Sequence, residues 1–317
     1  MSTAFIFPGQ GSQAVGMGKA LSEAFPAAHS VFEEVDAALG EALTRVMWEG
    51  PLDRLTLTEN AQPALLAVSL AAMRALEAEA GLDLAREAQL VAGHSLGEYS
   101  ALAAAGTLTV TDAARLVRVR GQAMQRAVPV GAGAMAALIG LELAEATAVS
   151  QESAQGEVCQ VANDNGGGQV VLSGSRGAVE RAVEIAKARG AKRAIMLPVS
   201  APFHCALMQP AADAMAEALA GIVVKPPSVP VVANVSARPI SEPAEIVRSL
   251  VQQVTGTVRW RESVAFMANA GVAAFYETGA GKVLSGLVRR IAGAATATAI
   301  GTPEDIAAFI TMREPGP

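Results

Sequence analysis

Cysteine is almost missing from this sequence. Only Cys159 and Cys205 occur among 317 residues, far apart, with no C-x-x-C spacing and no histidine cluster nearby, so neither a disulfide framework nor a structural metal site is indicated. A reduced, cytoplasmic setting is expected. Basic charge is also short: 24 Lys and Arg against 30 Asp and Glu give a formal net charge of -6, which leaves no global field to attract nucleic acid or an anionic membrane. Met1 to Gln10 has no basic n-region and meets Pro8-Gly9 after a very short apolar run, which is not the pattern of a signal peptide. The longest uncharged stretch, Ala194 to Ala212, is broken by three prolines and His204, so no membrane span is expected. Tandem repeats and low-complexity linkers are absent too.

What is present is apolar: 51% of the residues are hydrophobic, in a chain long enough to bury a large core as one big domain or a big one plus a small one. Ala4 to Phe7 and Gln89 to Ala92 are short apolar runs that end in glycine-bearing turns and lead into helical patterns, as buried parallel strands do. Val229 to Val235 and Val272 to Tyr276 extend the same α/β sheet. Between them the rhythm changes. Ala134 to Ile139 reads as strand, Glu142 to Ala154 as helix, Val158 to Ala162 and Gln169 to Ser173 as strands, Ala178 to Arg189 as helix and Arg193 to Val199 as strand. This order, βαββαβ, is the ferredoxin-like pattern and predicts a small subdomain, 129–198, inserted into a larger one, 1–128 and 199–317. A cleft between the two is a favoured ligand site.

Gly93-His94-Ser95-Leu96-Gly97 lies between the strand Gln89 to Ala92 and a helical run from Glu98 to Ala105. This is a nucleophile elbow in its strand–turn–helix context, so the larger unit is expected to be α/β-hydrolase-like with a parallel-sheet core, and Ser95 its nucleophile. Leu96 N–H, at the start of the following helix, is placed to stabilise an oxyanion beside Ser95. A serine needs a base, and the chain has only three histidines. His94 adjoins Ser95, and successive side chains diverge. His29 lies in a polar helical segment. His204 remains, in Val199-Ser200-Ala201-Pro202-Phe203-His204, where the chain re-enters the larger unit at the cleft. A hydrolase triad would also place an acid between Ser95 and His204 in chain order, yet Asp112 reads as part of a helix start with Thr109, and Asp164 falls in the glycine-rich hairpin of the small unit. A neutral acceptor for the histidine is therefore expected.

On the helix predicted from about Asp112 to Ala127, Arg115, Arg118, Gln122 and Arg126 share one face, whereas Arg120 falls in line with Ala113, Leu116, Val117, Met124 and Ala127. An inward guanidinium needs an anion, either an internal carboxylate or a ligand's, and its planar fork suits the latter in bidentate fashion. Gly9-Gln10-Gly11-Ser12-Gln13-Ala14 fits a loose dinucleotide pattern, but the acidic residue required about twenty positions on falls in a helical segment. Gly279-Ala280-Gly281-Lys282 lacks the first glycine and the Ser/Thr of a P-loop.

Taken together, Phe7-Pro8-Gly9-Gln10-Gly11-Ser12-Gln13, Ala61-Gln62-Pro63-Ala64-Leu65, Gly93-His94-Ser95-Leu96-Gly97-Glu98, Arg120-Gly121-x-x-Met124, Val161-Ala162-Asn163, Phe203-His204 and Gln253 upstream of Val258-Arg259-Trp260 resemble the malonyl-CoA:acyl carrier protein transacylases of fatty acid synthesis and the related polyketide acyltransferase domains. The resemblance runs along nearly the whole chain. It implies a Ser95–His204 pair whose histidine is held by the main-chain carbonyl of Gln253, an oxyanion hole from the N–H groups of Gln10 and Leu96, and a malonyl carboxylate on Arg120. It adds Met124, Asn163 and Phe203 as substrate-binding residues, Phe203 in the malonyl-selective form. It implies coenzyme A as substrate and product, with no tightly bound cofactor or metal, and an acyl carrier protein as partner.

Thr257 and Ala280 stand where many relatives of that family have proline, which predicts a looser loop near Gln253. Arg181, Lys187, Arg189, Lys192 and Arg193 form a basic cluster on the small unit that could receive an acidic carrier, or be a solvated face. Beside a malonyl transferase of fatty acid synthesis, three other readings remain at this level: a serine esterase or thioesterase of α/β-hydrolase type, an acyltransferase serving polyketide synthesis, and a non-catalytic nucleotide- or carrier-binding module.

Overall fold

The computed structural model describes residues 2–313. Its strands are β1 (Ser2–Phe7), β2 (Ala88–Gly93), β3 (Gly133–Ile139), β4 (Cys159–Asp164), β5 (Gln169–Ser175), β6 (Arg193–Met196), β7 (Val231–Val232), β8 (Pro239–Ile240), β9 (Val272–Thr278) and β10 (Thr296–Ile300). Six form one sheet in the order β10-β9-β1-β2-β7-β8, parallel except for the edge strand β8. β1 is central, and Ala4 to Phe7 are at most 1% exposed because both faces of the sheet are covered. Alternation along the strand splits its side chains between two cores. Phe5 and Phe7 pack into the core that contains the alanine- and leucine-rich helix Thr58–Ala80 and the helix Val110–Ala127. Ala4 and Ile6 pack on the other side, with Trp260, Val264, Leu284 and Val288 from the helices Trp260–Asn269 and Val283–Ile291. No helix among the described residues is long and apolar enough to cross a membrane.

The sheet departs from expectation at its edges. Only Val231 and Val232 of the run Val229 to Val235 form a ladder. Pro230 has no N–H, Ala233 N–H turns to Arg238 O, and Asn234 N–H goes to the Glu98 carboxylate, so the positions on either side of the pair offer no donor to a neighbouring strand. β10, whose Thr-Ala-Thr-Ala composition gives little apolar signal, pairs with β9 and was not anticipated.

The strands β3 to β6 form a separate antiparallel sheet, β4-β5-β3-β6, with the helices Leu143–Ala154 and Arg176–Ala188 in the chain order βαββαβ. Ala134, Ala136 and Leu138 of β3 share a core with those helices, while Met135 and Ala137 point the other way, into a cavity against the larger sheet. The sheets are also tied through backbone: Val258 N–H donates to Ala162 O (2.8 Å) and Asp164 N–H to Val258 O (3.0 Å), a parallel bridge between β4 and the loop after the helix Pro243–Thr255. The loop expected to be loose is thus pinned. Thr257 contributes directly, since its hydroxyl, which a proline would lack, donates to Val161 O at 2.6 Å. Thr257→Val should remove that bond and lower stability by about 1 kcal/mol, read as a shift of the urea midpoint with the slope unchanged.

Candidate active site

The elbow is built by close approach. A Cβ on Gly93 would lie 1.8 Å from Gly97 O, and one on Gly97 would lie 2.2 Å from Phe7 O, so neither position admits a side chain. β2 ends at Gly93, the helix Gly97–Ala104 begins four residues later, and Ser95 between them is forced to φ 54°. Such a backbone is sparsely populated by a residue with a side chain and persists only where its surroundings hold it. Here Asn234 supplies the hold: its Oδ1 accepts from Ser95 N–H (2.7 Å) and its Nδ2 donates to Gly93 O (2.6 Å).

His204 lies between β6 and the helix Gln209–Ala220, also with positive φ, 59°. Its Nδ1 is 2.8 Å from the main-chain carbonyl of Gln253, which can only accept, so Nδ1 carries the proton and Nε2 is free to accept. Ser95 Oγ is 2.7 Å from that Nε2 and donates to it. Burial, and then the charge of Arg120, push the His204 pKa down to about 3. The imidazole is therefore neutral, and able to take the serine proton, through the range where an ordinary histidine titrates. Neither of the other histidines is hydrogen-bonded to Ser95 Oγ, although His94 lines the same cavity. His94 Nε2 bonds Asn165 Oδ1 (2.9 Å), its ring lies against Trp260, and burial lowers its pKa. His29 is exposed on the helix Pro26–Leu39, beside Ser22 and Glu33.

Arg120 is 1% exposed. Its Nη1 donates to Gln62 Oε1 (2.7 Å), and its Nη2 to Gln253 Oε1 (2.9 Å) and Ser95 Oγ (3.1 Å), with the guanidinium 5.7 Å from the centre of the Tyr99 ring. Burial lowers its pKa, yet an arginine stays charged. The amides that hold it are neutral, and among the described residues it forms no salt bridge; of the two anions weighed for it, the internal carboxylate is not in contact. A full positive charge thus stands beside the Ser95 hydroxyl, in a cavity of about 1010 Å³ between the two sheets.

Gln10 lies in the loop that follows β1, against the elbow, because Phe7 O accepts His94 N–H (3.0 Å). No protein group among the described residues takes up the N–H of Gln10 or Leu96. The side chain of Gln10 is fixed by Thr58 Oγ1, which donates to its Oε1 (2.7 Å). Asn163 and Phe203 line the cavity from the small sheet and from the residue before His204. Met124 does not line it: one turn beyond Arg120, it packs behind Gln62, its sulfur 3.7 Å from Gln62 Nε2. Gln62, Glu98 and Asn234 were not singled out from the sequence. Glu98 is fully buried, bonded through Oε2 to Gln253 Nε2 (2.8 Å) and Asn234 N–H (3.1 Å), and burial raises its pKa to about 7. A glutamate in the first turn of an otherwise uncharged helix was the available signal for it.

The rival glycine motifs find no support in the geometry. After Gly9-Gln10-Gly11 the chain stays irregular until the helix Lys19–Ala24, so the loop does not open into a helix as the dinucleotide pattern requires. The helix after Gly279-Ala280-Gly281-Lys282 already has an anion at its start, since the Glu277 carboxylate accepts from Leu284 and Ser285 N–H (2.9 and 2.6 Å).

Residues 4–304 match the family described as acyl transferase domain. The malonyl CoA-acyl carrier protein transacylase of Salmonella typhimurium is 47% identical over 309 residues, covering 98% of this chain and 99% of its own. Among solved structures, the acyl-carrier-protein-S-malonyltransferase of Bartonella henselae superposes with a TM-score of 0.96 at 57% identity, covering 98% of this chain and 99% of its own. A malonyl-transacylase solved in complex with a type II PKS acyl-carrier protein gives a TM-score of 0.95 at 43% identity, with 99% and 100% covered.

The low pKa of His204 has a kinetic signature. The rate of Ser95 acylation by a neutral donor, acetyl-CoA, should stay level as pH falls through 6.5, and Arg120→Ala should move the acid limb upward, because removing a neighbouring positive charge favours imidazolium. Stopped-flow pH–rate profiles of the two proteins check both statements.

Proposed function

This chain belongs to the malonyl-CoA:acyl carrier protein transacylase family of acyl transferases, and we propose that it moves malonyl from coenzyme A to the phosphopantetheine thiol of an acyl carrier protein through an ester on Ser95. The observation that carries the proposal is the uncompensated Arg120 guanidinium 3.1 Å from the nucleophile, at the place where a three-carbon diacid would put its free carboxylate. An esterase serine needs no such charge.

In the first half-reaction the Ser95 hydroxyl passes its proton to His204 Nε2 and attacks the thioester carbonyl. The oxyanion of the tetrahedral intermediate would be met by Gln10 and Leu96 N–H, and the new imidazolium is stabilised by the Gln253 carbonyl on Nδ1. Collapse breaks the carbon–sulfur bond, and the departing thiolate of coenzyme A takes the proton back. Arg120 acts twice here. It holds the malonyl carboxylate, and once paired with it no longer opposes protonation of His204 as strongly, so the base strengthens when the correct acyl group is bound. In the second half-reaction the carrier's thiol gives its proton to His204, attacks the ester carbonyl, and Ser95 leaves with that proton. Asn163 and Phe203 would border the acyl group in the cavity, and no tightly bound cofactor is needed for any step.

Attraction of an acidic carrier to the small unit would rest chiefly on Lys192 and Arg193. Arg181, Lys187 and Arg189 already hold Glu157, Glu184 and Glu152. The two cysteines, both buried and unpaired, are compatible with a reduced cytoplasmic setting. Fatty acid synthesis is the pathway we assign. The likeness to a transacylase bound to a type II PKS carrier favours polyketide supply as the second reading, and kcat/KM measured with the two kinds of carrier separates them.

Incubation with malonyl-CoA should add one malonyl group to the intact protein, lost in Ser95→Ala, and the label should move to added holo carrier; release as free malonate without an acceptor would instead indicate an esterase. Arg120→Ala should lower malonyl loading by about 100-fold, the loss of roughly 3 kcal/mol expected for a charge-assisted pair, while sparing acetyl loading. Equal loss with both donors would make Arg120 structural.

A further inference from the structure

Glu98 is 0% exposed, and the reaction as described gives it nothing to do. A carboxylate kept from water is costly unless its oxygens are hydrogen-bonded. Its two donors, Gln253 Nε2 and Asn234 N–H, converge on one oxygen, Oε2. Each leads to the reacting groups in one further bond. Gln253 presents its side-chain Oε1 to Arg120 Nη2, its Nε2 also to Ser95 O (2.9 Å), and its main-chain oxygen to His204 Nδ1. Asn234 takes Ser95 N–H on Oδ1 and ties Gly93 O with Nδ2.

The Gln253 amide can serve both sides in only one orientation. Its oxygen must face the guanidinium, a pure donor, and its NH₂ must face Glu98 Oε2, which already accepts from Asn234 N–H; turned over, donor would meet donor at Arg120 and acceptor would meet acceptor at Oε2. Glu98 is what makes that orientation pay no penalty on the buried side. Without an acceptor there, the NH₂ keeps Ser95 O but loses Oε2, and the hold that keeps Oε1 facing Arg120 is weakened.

We infer that Glu98 is a positioning residue for acyl transfer: through Gln253 and Asn234 it keeps His204, Arg120 and the Ser95 backbone in register with one another. It touches no substrate atom. The inference rests on the acyl-transfer reading above and adds a residue to it. In place of an acid bonded to the histidine, the carboxylate stands one residue behind and acts through an amide.

Two substitutions separate position from charge. Glu98→Gln keeps an acceptor oxygen at the same reach without the charge, and Glu98→Asp keeps the charge but is one methylene shorter. With folding checked by circular dichroism and thermal melting, Glu98→Gln should acylate Ser95 from malonyl-CoA within about threefold of the parent, whereas Glu98→Asp should lose about 100-fold in kcat with KM little changed, the scale of a small misplacement of reacting groups. The preference for malonyl over acetyl should fall only in Glu98→Asp. The proton resonance of His204 Nδ1–H should likewise move in Glu98→Asp and stay in place in Glu98→Gln. The reverse ranking, equal losses, or parent-like rates in both variants would overturn the inference. Should Glu98→Asp not fold, Gln253→Asn shortens the same link from the other side and must show the same loss; a parent-like rate there overturns it too. A parent protein that takes no malonyl label would refute the transferase reading itself, and so is distinguishable from a labelled parent with an unimpaired Glu98→Asp.

Discussion

A guanidinium held out of water beside a serine is the constraint around which the site is arranged. Arg120 is buried on a helix whose inward face is otherwise apolar, and a buried charge without compensation costs several kcal/mol. Neutral amides of Gln62 and Gln253 satisfy its N–H groups in part and leave its charge unpaired by any contacting anion. In the proposed reaction this unpaired charge is what receives the substrate carboxylate. The histidine feels the same charge: burial first, and then Arg120, depress the His204 pKa and keep the imidazole neutral in the free protein.

Among the described residues no carboxylate stands behind the histidine; its Nδ1–H goes to the main-chain carbonyl of Gln253. That peptide carbonyl fixes the tautomer of His204, and the only buried carboxylate of this network, Glu98, is one residue further back, separated from the histidine by Gln253. The three hydrogen-bonding faces of Gln253 connect base, nucleophile and cation, so the site behaves as one network in which no pair is adjusted alone.

The architecture delivers these residues from distant parts of the chain. The larger sheet supplies the elbow and the loop of Gln10, the helix Val110–Ala127 supplies Arg120, and the antiparallel sheet closes the cavity with Met135, Ala137 and Val171. Bonds from Thr257 and Val258 to β4 join the two units within a few residues of Gln253, so the carbonyl that holds His204 is anchored from both sheets. Thr257, unlike proline, achieves this through a side-chain hydroxyl.

Much of this was legible in the residues before any coordinates. The elbow is a local motif, dictated by glycines that allow backbone to touch backbone, and so Ser95 could be named from five residues. Three histidines made elimination possible, helical periodicity turned Arg120 inward, and the alternation of strand and helix marked the βαββαβ unit, since each of these signals depends on neighbours a few positions apart. The resemblance to a family supplied the Gln253 carbonyl, which no local signal marks. The sequence did not reveal β10, the two-residue length of β7, the place of Met124 behind Gln62, or the roles of Glu98 and Asn234. Those depend on which donor meets which acceptor across 136 or 155 positions of chain, and hydrogen-bond partners at that separation are decided only when the sheets and helices have packed.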